Sequence, residues 1–400
     1  MQRPIRTAAF ALAFAPALLL AQQPRALPAP DATFAEPFSQ VSGLRELSTG
    51  RVLVADARDK VLQLVDLAAG SATKIGREGS GPGEFALPFR LFGIAGDTTF
   101  LFDPGNSRYL VIGPDAKPGT SFRIESGGAT GPGGGIRIGF APSRVADGRG
   151  RLYYEPPSFG QGPDGRPQPA DSAPILRYDR VTQKNDTIAM VKVAPPNVRV
   201  SGSAGNQNVQ MSPPNPLLPR DEWTVFPDGR VAIARTNPFR VDFVMPNGTK
   251  SSTAAFRYTP LRMTEADKKE EEALRVRNNA SGLRMTVTAD GRGAPQTSAS
   301  VGGPAGPPPP PLTDWPETKP PFRSGAASVW ARSNGELWIR RTEPAGAVGT
   351  LYDVVNAQGA AAYQVRLDKG ITLVGFGNGT VYTTKADEDD LLYLQRHRMP

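Results

Sequence analysis

Short apolar runs recur along the chain in pairs, each pair divided by a tight turn that contains glycine. The turns are Ser48-Thr49-Gly50, Ala95-Gly96-Asp97, Asp147-Gly148-Arg149-Gly150, Asp228-Gly229-Arg230, Asn334-Gly335-Glu336 and Asn378-Gly379-Thr380. The runs that follow them are Val52-Leu53-Val54, Phe100-Leu101-Phe102, Leu152-Tyr153-Tyr154, Val231-Ala232-Ile233, Leu337-Trp338-Ile339 and Val381-Tyr382-Thr383. Asp-Gly and Asn-Gly between apolar runs signal β-hairpins, because the turn needs positive φ and these residues adopt it at little cost. Further along each unit the alternation stays legible, as in Arg240 to Met245 and Leu351 to Val355. Ala69-Gly70, Pro246-Asn247-Gly248 and Gln358-Gly359 mark later turns.

Six copies of one unit predict a closed repeat. Aligned on the turns, the units run from about Val41 to Ile75, Leu91 to Ile124, Arg144 to Val193, Glu222 to Tyr258, Ala326 to Leu367, and from Ile371 onward. The expected fold is all-β: a six-bladed β-propeller over residues 32–398. The last unit supplies three strands, so residues around Thr33 to Phe38 are expected to add its fourth and close the ring. Closure of this kind removes exposed strand edges.

Three long insertions interrupt the repeat, at residues 155–172, 194–221 and 259–325. The third lies between units four and five and carries one helix, expected from Glu265 to Asn278. Thr264 is its N-cap, with Asp267 three residues on. Glu265 with Lys269 and Glu271 with Arg275 form i,i+4 pairs. The helix has few apolar residues and reads as a surface element. The segment after it is rich in Gly, Pro and Ser, and Pro307 to Pro311 favours extended polyproline II. Gly131 to Gly135 reads as linker, since no Gly-Lys-Ser/Thr ending makes it a phosphate loop. In a four-stranded blade all three insertions emerge on the face opposite the tight glycine turns. They are expected to form a rim or lid over the channel mouth.

Composition adds three constraints. Residues 1–21 have a basic start (Arg3, Arg6), a short apolar stretch and small residues before a cleavage point at Ala21. That succession is a secretory signal, and it places the protein in the periplasm or outside the cell. Nothing later resembles a transmembrane segment. There is no Cys, so no disulfide supports the fold. The net charge is +8, two of those charges coming from Arg3 and Arg6. No basic run with interleaved aromatics accompanies that charge, so no nucleic-acid partner is expected.

The segment from Gly76 to Pro88 resembles the loop joining successive blades in NHL-repeat, TolB-like β-propellers of bacterial exported proteins. Asp103 to Arg108 resembles their loop between second and third strands. Asp56 to Asp59, Asn237 to Arg240 and Arg332 to Trp338 match more loosely. The resemblance implies the fold. It implies no single activity, since such propellers include binding scaffolds, lactonases and lyases.

The catalytic inventory is small. The one histidine, His397, sits near the C-terminus and reads as a solvated end-strand residue. Metal sites and triads built on His are therefore absent, as is the multi-His set of the propeller lyases. No catalytic residue and no resident metal are assigned. Calcium remains possible through carboxylates. Asp387 to Asp390 reads as a solvated acidic loop, and Glu84 belongs by resemblance to an inter-blade loop. The site candidates are the repeated triplets at Pro88-Phe89-Arg90 and Pro321-Phe322-Arg323. Each precedes a first strand, which lines the channel. Arg90 and Arg323, with Phe89 and Phe322, are expected at the channel mouth, the arginines holding an anion. The alternative is that the phenylalanines fill gaps between blades and the arginines are solvated. The reading is a binding scaffold for a small molecule, glycan or protein. A calcium-dependent hydrolase or lactonase is the alternative.

Overall fold

The computed structural model describes residues 23–124, 142–156, 159–161, 167–194, 197–203, 206–212, 214–281, 283–288, 296–301, 311–312, 314–325 and 327–399. The signal segment 1–21, the Gly131 to Gly135 linker and Pro307 to Pro310 lie outside them.

The protein is a six-bladed β-propeller. Blade 1 comprises Gly43–Glu46, Val52–Asp56, Val61–Asp66 and Ser71–Lys74, in that order from the axis outward. Blade 2 comprises Arg90–Gly93, Thr99–Asp103, Arg108–Ile112 and Pro118–Phe122. Blade 3 is built from Val145–Ala146, Leu152–Tyr154, Ser172–Asp179 and Lys184–Lys192. Blade 4 is built from Glu222–Val225, Val231–Thr236, Phe239–Val244 and Lys250–Ser252. Blade 5 holds Val329–Ala331, Leu337–Arg340, Thr350–Val355 and Ala361–Leu367. Blade 6 holds Ile371–Phe376, Thr380–Ala386, Leu392–Arg398 and, from the other end of the chain, Ala32–Thr33.

The apolar run after each turn becomes the second strand, which is covered on both faces by neighbouring blades. Its residues therefore alternate between two cores rather than between core and solvent. Leu53 and Ala55 pack toward blade 2, while Val52 and Val54 pack toward blade 6. Trp338 faces blade 6, and Leu337 and Ile339 face blade 4. The core is thus six apolar wedges between blades. The outer strands Ser71–Lys74 and Lys250–Ser252 are exposed throughout.

All six glycine turns join first to second strands, and Gly50, Gly96, Gly150, Gly229, Gly335 and Gly379 all have positive φ. The turns are laced together. Gly148 N–H donates to Pro227 O (2.8 Å), and Ala95 N–H donates to Gly148 O (3.0 Å).

Ring closure follows the sequence expectation. Ala32 and Thr33 pair antiparallel with Arg396 and Gln395, and Phe38 bridges Leu392. Phe34 and Phe38 fill the wedge between blades 6 and 1, their rings 5.9 Å apart. One feature was not foreseen: Arg25–Ala26 adds a parallel fifth strand to blade 5, beside Val365 and Arg366. The same N-terminal segment corrects the reading of His397. Its ring is buried, with Nδ1 against Pro28 O (2.8 Å) and Nε2 against the Thr383 hydroxyl (2.9 Å).

The loops that resemble NHL repeats have a shared physical basis. Asp103 is buried, and its carboxylate accepts the N–H groups of Ala86 and Leu87 and the Asn106 amide. Asn106 and Arg108 donate to the carbonyls of Gly79, Gly81 and Glu84. Asp56 does the equivalent in blade 1, accepting from Gln40, Arg58 and Asp59. Each aspartate ties a loop of its own blade to the segment entering that blade.

Candidate functional site

The three insertions meet on the face opposite the glycine turns. Glu155, in the second-to-third loop of blade 3, accepts from Arg220 (3.3 Å) and from Trp223 Nε1 (3.0 Å). The Asn215 amide donates to Asp314 O (2.7 Å), and Ser324 donates to Pro216 O through both N–H and hydroxyl. Residues from all three insertions thus contact their neighbours around one channel mouth.

The third insertion is fastened by charge. Its helix α1 (Glu265–Ser281) is capped as the sequence implies: Thr264 and Asp267 exchange hydrogen bonds between side chain and backbone. The surface reading of α1 needs correction. Asp267 and Glu271 are buried, and the inward face of the helix is acidic rather than apolar. Asp267 pairs with Lys319, and Glu271 pairs with Arg323. Glu271 therefore reaches across to the stem of the insertion instead of along the helix to Arg275, which pairs with Glu272. Burial works to raise the Asp267 carboxyl. The hydrogen bonds from Lys319, Thr264 and Ala345 N–H outweigh it and hold the group at about 2.

The inner strands start at this mouth, and charged residues stand at their first positions. Arg90 opens the inner strand of blade 2, Arg144 precedes that of blade 3, and Glu222 opens that of blade 4. Glu222 is fully buried and serves as the hub. Its carboxylate pairs with Arg144, with Arg220 Nε (3.2 Å) and with Gly325 N–H (3.0 Å). Arg144 also lies over the Trp223 ring, 5.1 Å from its centroid.

Arg90 is different. Among the described residues it forms no ion pair, and its guanidinium has one long hydrogen bond, to Ser143 O (3.4 Å). It sits 5.6 Å from the centroid of Phe89. Burial brings the guanidinium down to about 10, and the charge of Arg144 adds to that shift against the opposing pull of Tyr109. The Ser143 hydroxyl beside it is buried without a partner among the described residues. The mouth therefore presents a guanidinium that no described carboxylate neutralises.

The other sequence candidates are placed as follows. Phe89 is half-buried and meets Phe102 edge-on at 6.4 Å. Phe322 is sealed in the wedge between blades 4 and 5, 5.8 Å from Phe239. Arg323 lies under α1, paired with Glu271, and its N–H donates to Arg340 O (3.1 Å). Arg144, Arg220 and Glu222 were not singled out from the sequence. The only signal for them is their position just before or at the start of an inner strand, the position that marked Arg90.

The donor set at the mouth does not fit calcium. Of its carboxylates, Glu222 is already engaged by two guanidinium groups and Glu155 by Arg220, and no cluster of three or more acidic, His or Cys side chains occurs among the described residues. The Asp387 to Asp390 loop is exposed. Asp387 Oδ1 accepts the N–H groups of Asp389 and Leu391, so it closes its own turn.

No protein-family model matches the sequence, and no curated protein does. Similarity to solved structures spans nearly the whole chain. A member of the DUF4221 family from Bacteroides vulgatus is 8% identical, with 91% of this chain and 94% of that one covered and a TM-score of 0.44. A gluconolactonase from Xanthomonas campestris is 9% identical, with 94% and 99% covered and a TM-score of 0.41. Regucalcin from Agrobacterium tumefaciens, a calcium-binding protein, is 12% identical, with 93% and 96% covered and a TM-score of 0.34. At these identities and TM-scores the likeness carries no statement about activity, ligand or family.

Proposed function

We propose that the protein is an exported binding scaffold that holds an anionic ligand, or an anionic group of a glycan or protein partner, at the channel mouth beneath its three insertions. The observation that carries this reading is Arg90: a guanidinium beside Arg144, with no described carboxylate to neutralise it. A cation held this way has a desolvation cost that an incoming anion offsets. Arg144 and Phe89 flank it, and Arg323 braces the insertion above through Glu271. Export rests on the residue pattern of 1–21. No helix among the described residues is long and apolar enough to cross a membrane.

Native mass measurement of protein recovered from its own cell tests the reading, with wild type and Arg90→Gln compared. A bound mass on wild type that the variant lacks supports it. An unliganded wild type, or a bound mass that survives Arg90→Gln, refutes it. The calcium-dependent hydrolase remains a separate expectation. Elemental analysis before and after chelation decides it, and stoichiometric calcium whose removal lowers the melting temperature would revive it.

A further inference from the structure

A second cleft, whose lining does not include Phe89, Arg90 or Arg144, lies between α1 and blade 5. Its open volume is about 90 Å³, and its walls include Leu217, Leu274, Arg340, Thr342, Glu343 and Ala347. That is room for a group larger than a single water.

Arg340 forms the last ladder pair of blade 5's second strand, with Tyr352, and residue 342 lies two positions beyond it. Alternation puts them on one side of the chain and Arg341 on the other, where Arg341 pairs with Asp353 at 2.9 Å. Around the cleft most charges are ion-paired, and the carboxylate of Glu270 has only a backbone partner among the described residues. Asp267 is taken by Lys319, Glu271 by Arg323 and Glu343 by Arg366. Glu343 also accepts Leu351 N–H, and Glu270 accepts Gly346 N–H. Arg340 is the cation left over: its guanidinium makes no ion pair and no hydrogen bond among the described residues. Burial lowers its proton affinity, and Arg323 adds to that effect against Tyr352, Glu271 and Glu343. Next to it the Thr342 hydroxyl is buried with no partner among the described residues.

We propose that this cleft is a second binding site, independent of the Arg90 mouth, for the carboxylate of a small aliphatic acid or of an acyl-bearing ligand. Arg340 supplies the planar fork that a carboxylate matches in two parallel hydrogen bonds. Thr342 offers a donor that nothing else uses. Leu217, Leu274 and Ala347 receive the carbon chain. A carboxylate matches the one guanidinium fork that has no partner among the described residues. Glu270, which lines the cleft without a cation partner among the described residues, adds negative charge there, so a phosphate dianion is disfavoured against a carboxylate.

Calorimetric titration of the full chain with butyrate, and separately with inorganic phosphate, tests the site. Arg90→Gln, whose channel mouth is disabled, should bind butyrate at one site and more tightly than phosphate. Arg340→Gln should weaken butyrate at least tenfold, whereas Arg90→Gln should change it less than twofold, which separates this site from the channel mouth. If Arg340→Gln does not fold, Arg340→Lys keeps the charge but loses the fork, and it should still weaken butyrate several-fold. Absence of butyrate binding to wild type at about 10 mM overturns the proposal. So does butyrate affinity unchanged in the Arg340 variant, and so does tighter binding of phosphate than of butyrate in Arg90→Gln, where the channel mouth is disabled.

Discussion

Asp267 on α1 and Lys319 on the returning stem of the insertion form an ion pair of 2.5 Å, with only 5% and 2% of their side chains exposed. They are 52 residues apart in the chain. Lys319 Nζ also donates to Glu343 O (3.0 Å), and Ala345 N–H donates to Asp267 (2.8 Å). This one contact therefore joins the helix, the stem and blade 5. The longest insertion is docked by a buried charge network where apolar packing would ordinarily serve.

Breaking that pair should release α1 while leaving the ring intact. Asp267→Ala strands a buried ammonium, at a cost of about 3–5 kcal/mol. Hydrogen exchange or limited proteolysis should show the 259–325 segment opening with the blades still protected. Global unfolding in the variant would show that the insertion is part of the core.

The same carboxylate predicts an acid sensitivity. Its folded value of about 2 lies below the ordinary aspartate range near 3.9. Its contribution, on the order of 2–3 kcal/mol, is therefore complete above about pH 4 and is lost as pH falls toward 2. Protease resistance of the insertion should decline over that window in wild type. A wild-type insertion that stays protected down to pH 2 would contradict the assignment.

Glu222 and Arg90 should behave oppositely under mutation. Glu222→Gln leaves Arg144 and Arg220 without their shared counter-charge and should cost about 3–5 kcal/mol. Arg90→Met removes a cation that has no described counter-charge and relieves its repulsion with Arg144. Its melting temperature should equal or exceed that of wild type. A loss above about 1 kcal/mol in Arg90→Met would mean that Arg90 is a structural residue rather than a ligand-binding one.

Ring closure should depend on Phe34, which is 1% exposed between blades 6 and 1. Phe34→Ala should cost about 3–5 kcal/mol. Removing residues 23–38 altogether should bare the edge of Leu392–Arg398 and lead to association between chains, read by light scattering. A monomeric truncated protein would show that the edge is protected in some other way.

Two glycines with similar backbone angles should differ sharply. At Gly50 (φ +78°) nothing lies within 4 Å of an added methyl, so Gly50→Ala should cost about 1–2 kcal/mol. At Gly349 (φ +81°) the methyl would sit 1.8 Å from Leu367 O. Backbone must move there, and Gly349→Ala should cost at least about 3 kcal/mol. Chemical denaturation of the two variants checks the order.

The amino-acid sequence by itself determined the number of blades, the position of every first turn and the closing strand. These are local matters: positive φ at Gly50 or Gly229, and an apolar run such as Val52 to Ala55 that can only be satisfied between two neighbouring blades. The aspartates at 56 and 103 were marked only by resemblance to propeller loops, and the structure supplied the reason, since each satisfies backbone groups of a nearby loop. Tertiary structure alone decided which charges are neutralised. Nothing in the spacing of Glu271 says that it prefers Arg323 to Arg275, or that Glu222 gathers Arg144, Arg220 and Gly325. Nor does local sequence show that residues 25–33 cover His397. Ion pairing depends on which side chains the ring brings within a few ångströms, across separations of tens to hundreds of residues. Arg340 became a candidate only from the tertiary structure, and Arg90, already marked by its place before a first strand, was set apart from Arg323 only by which of the two found a carboxylate.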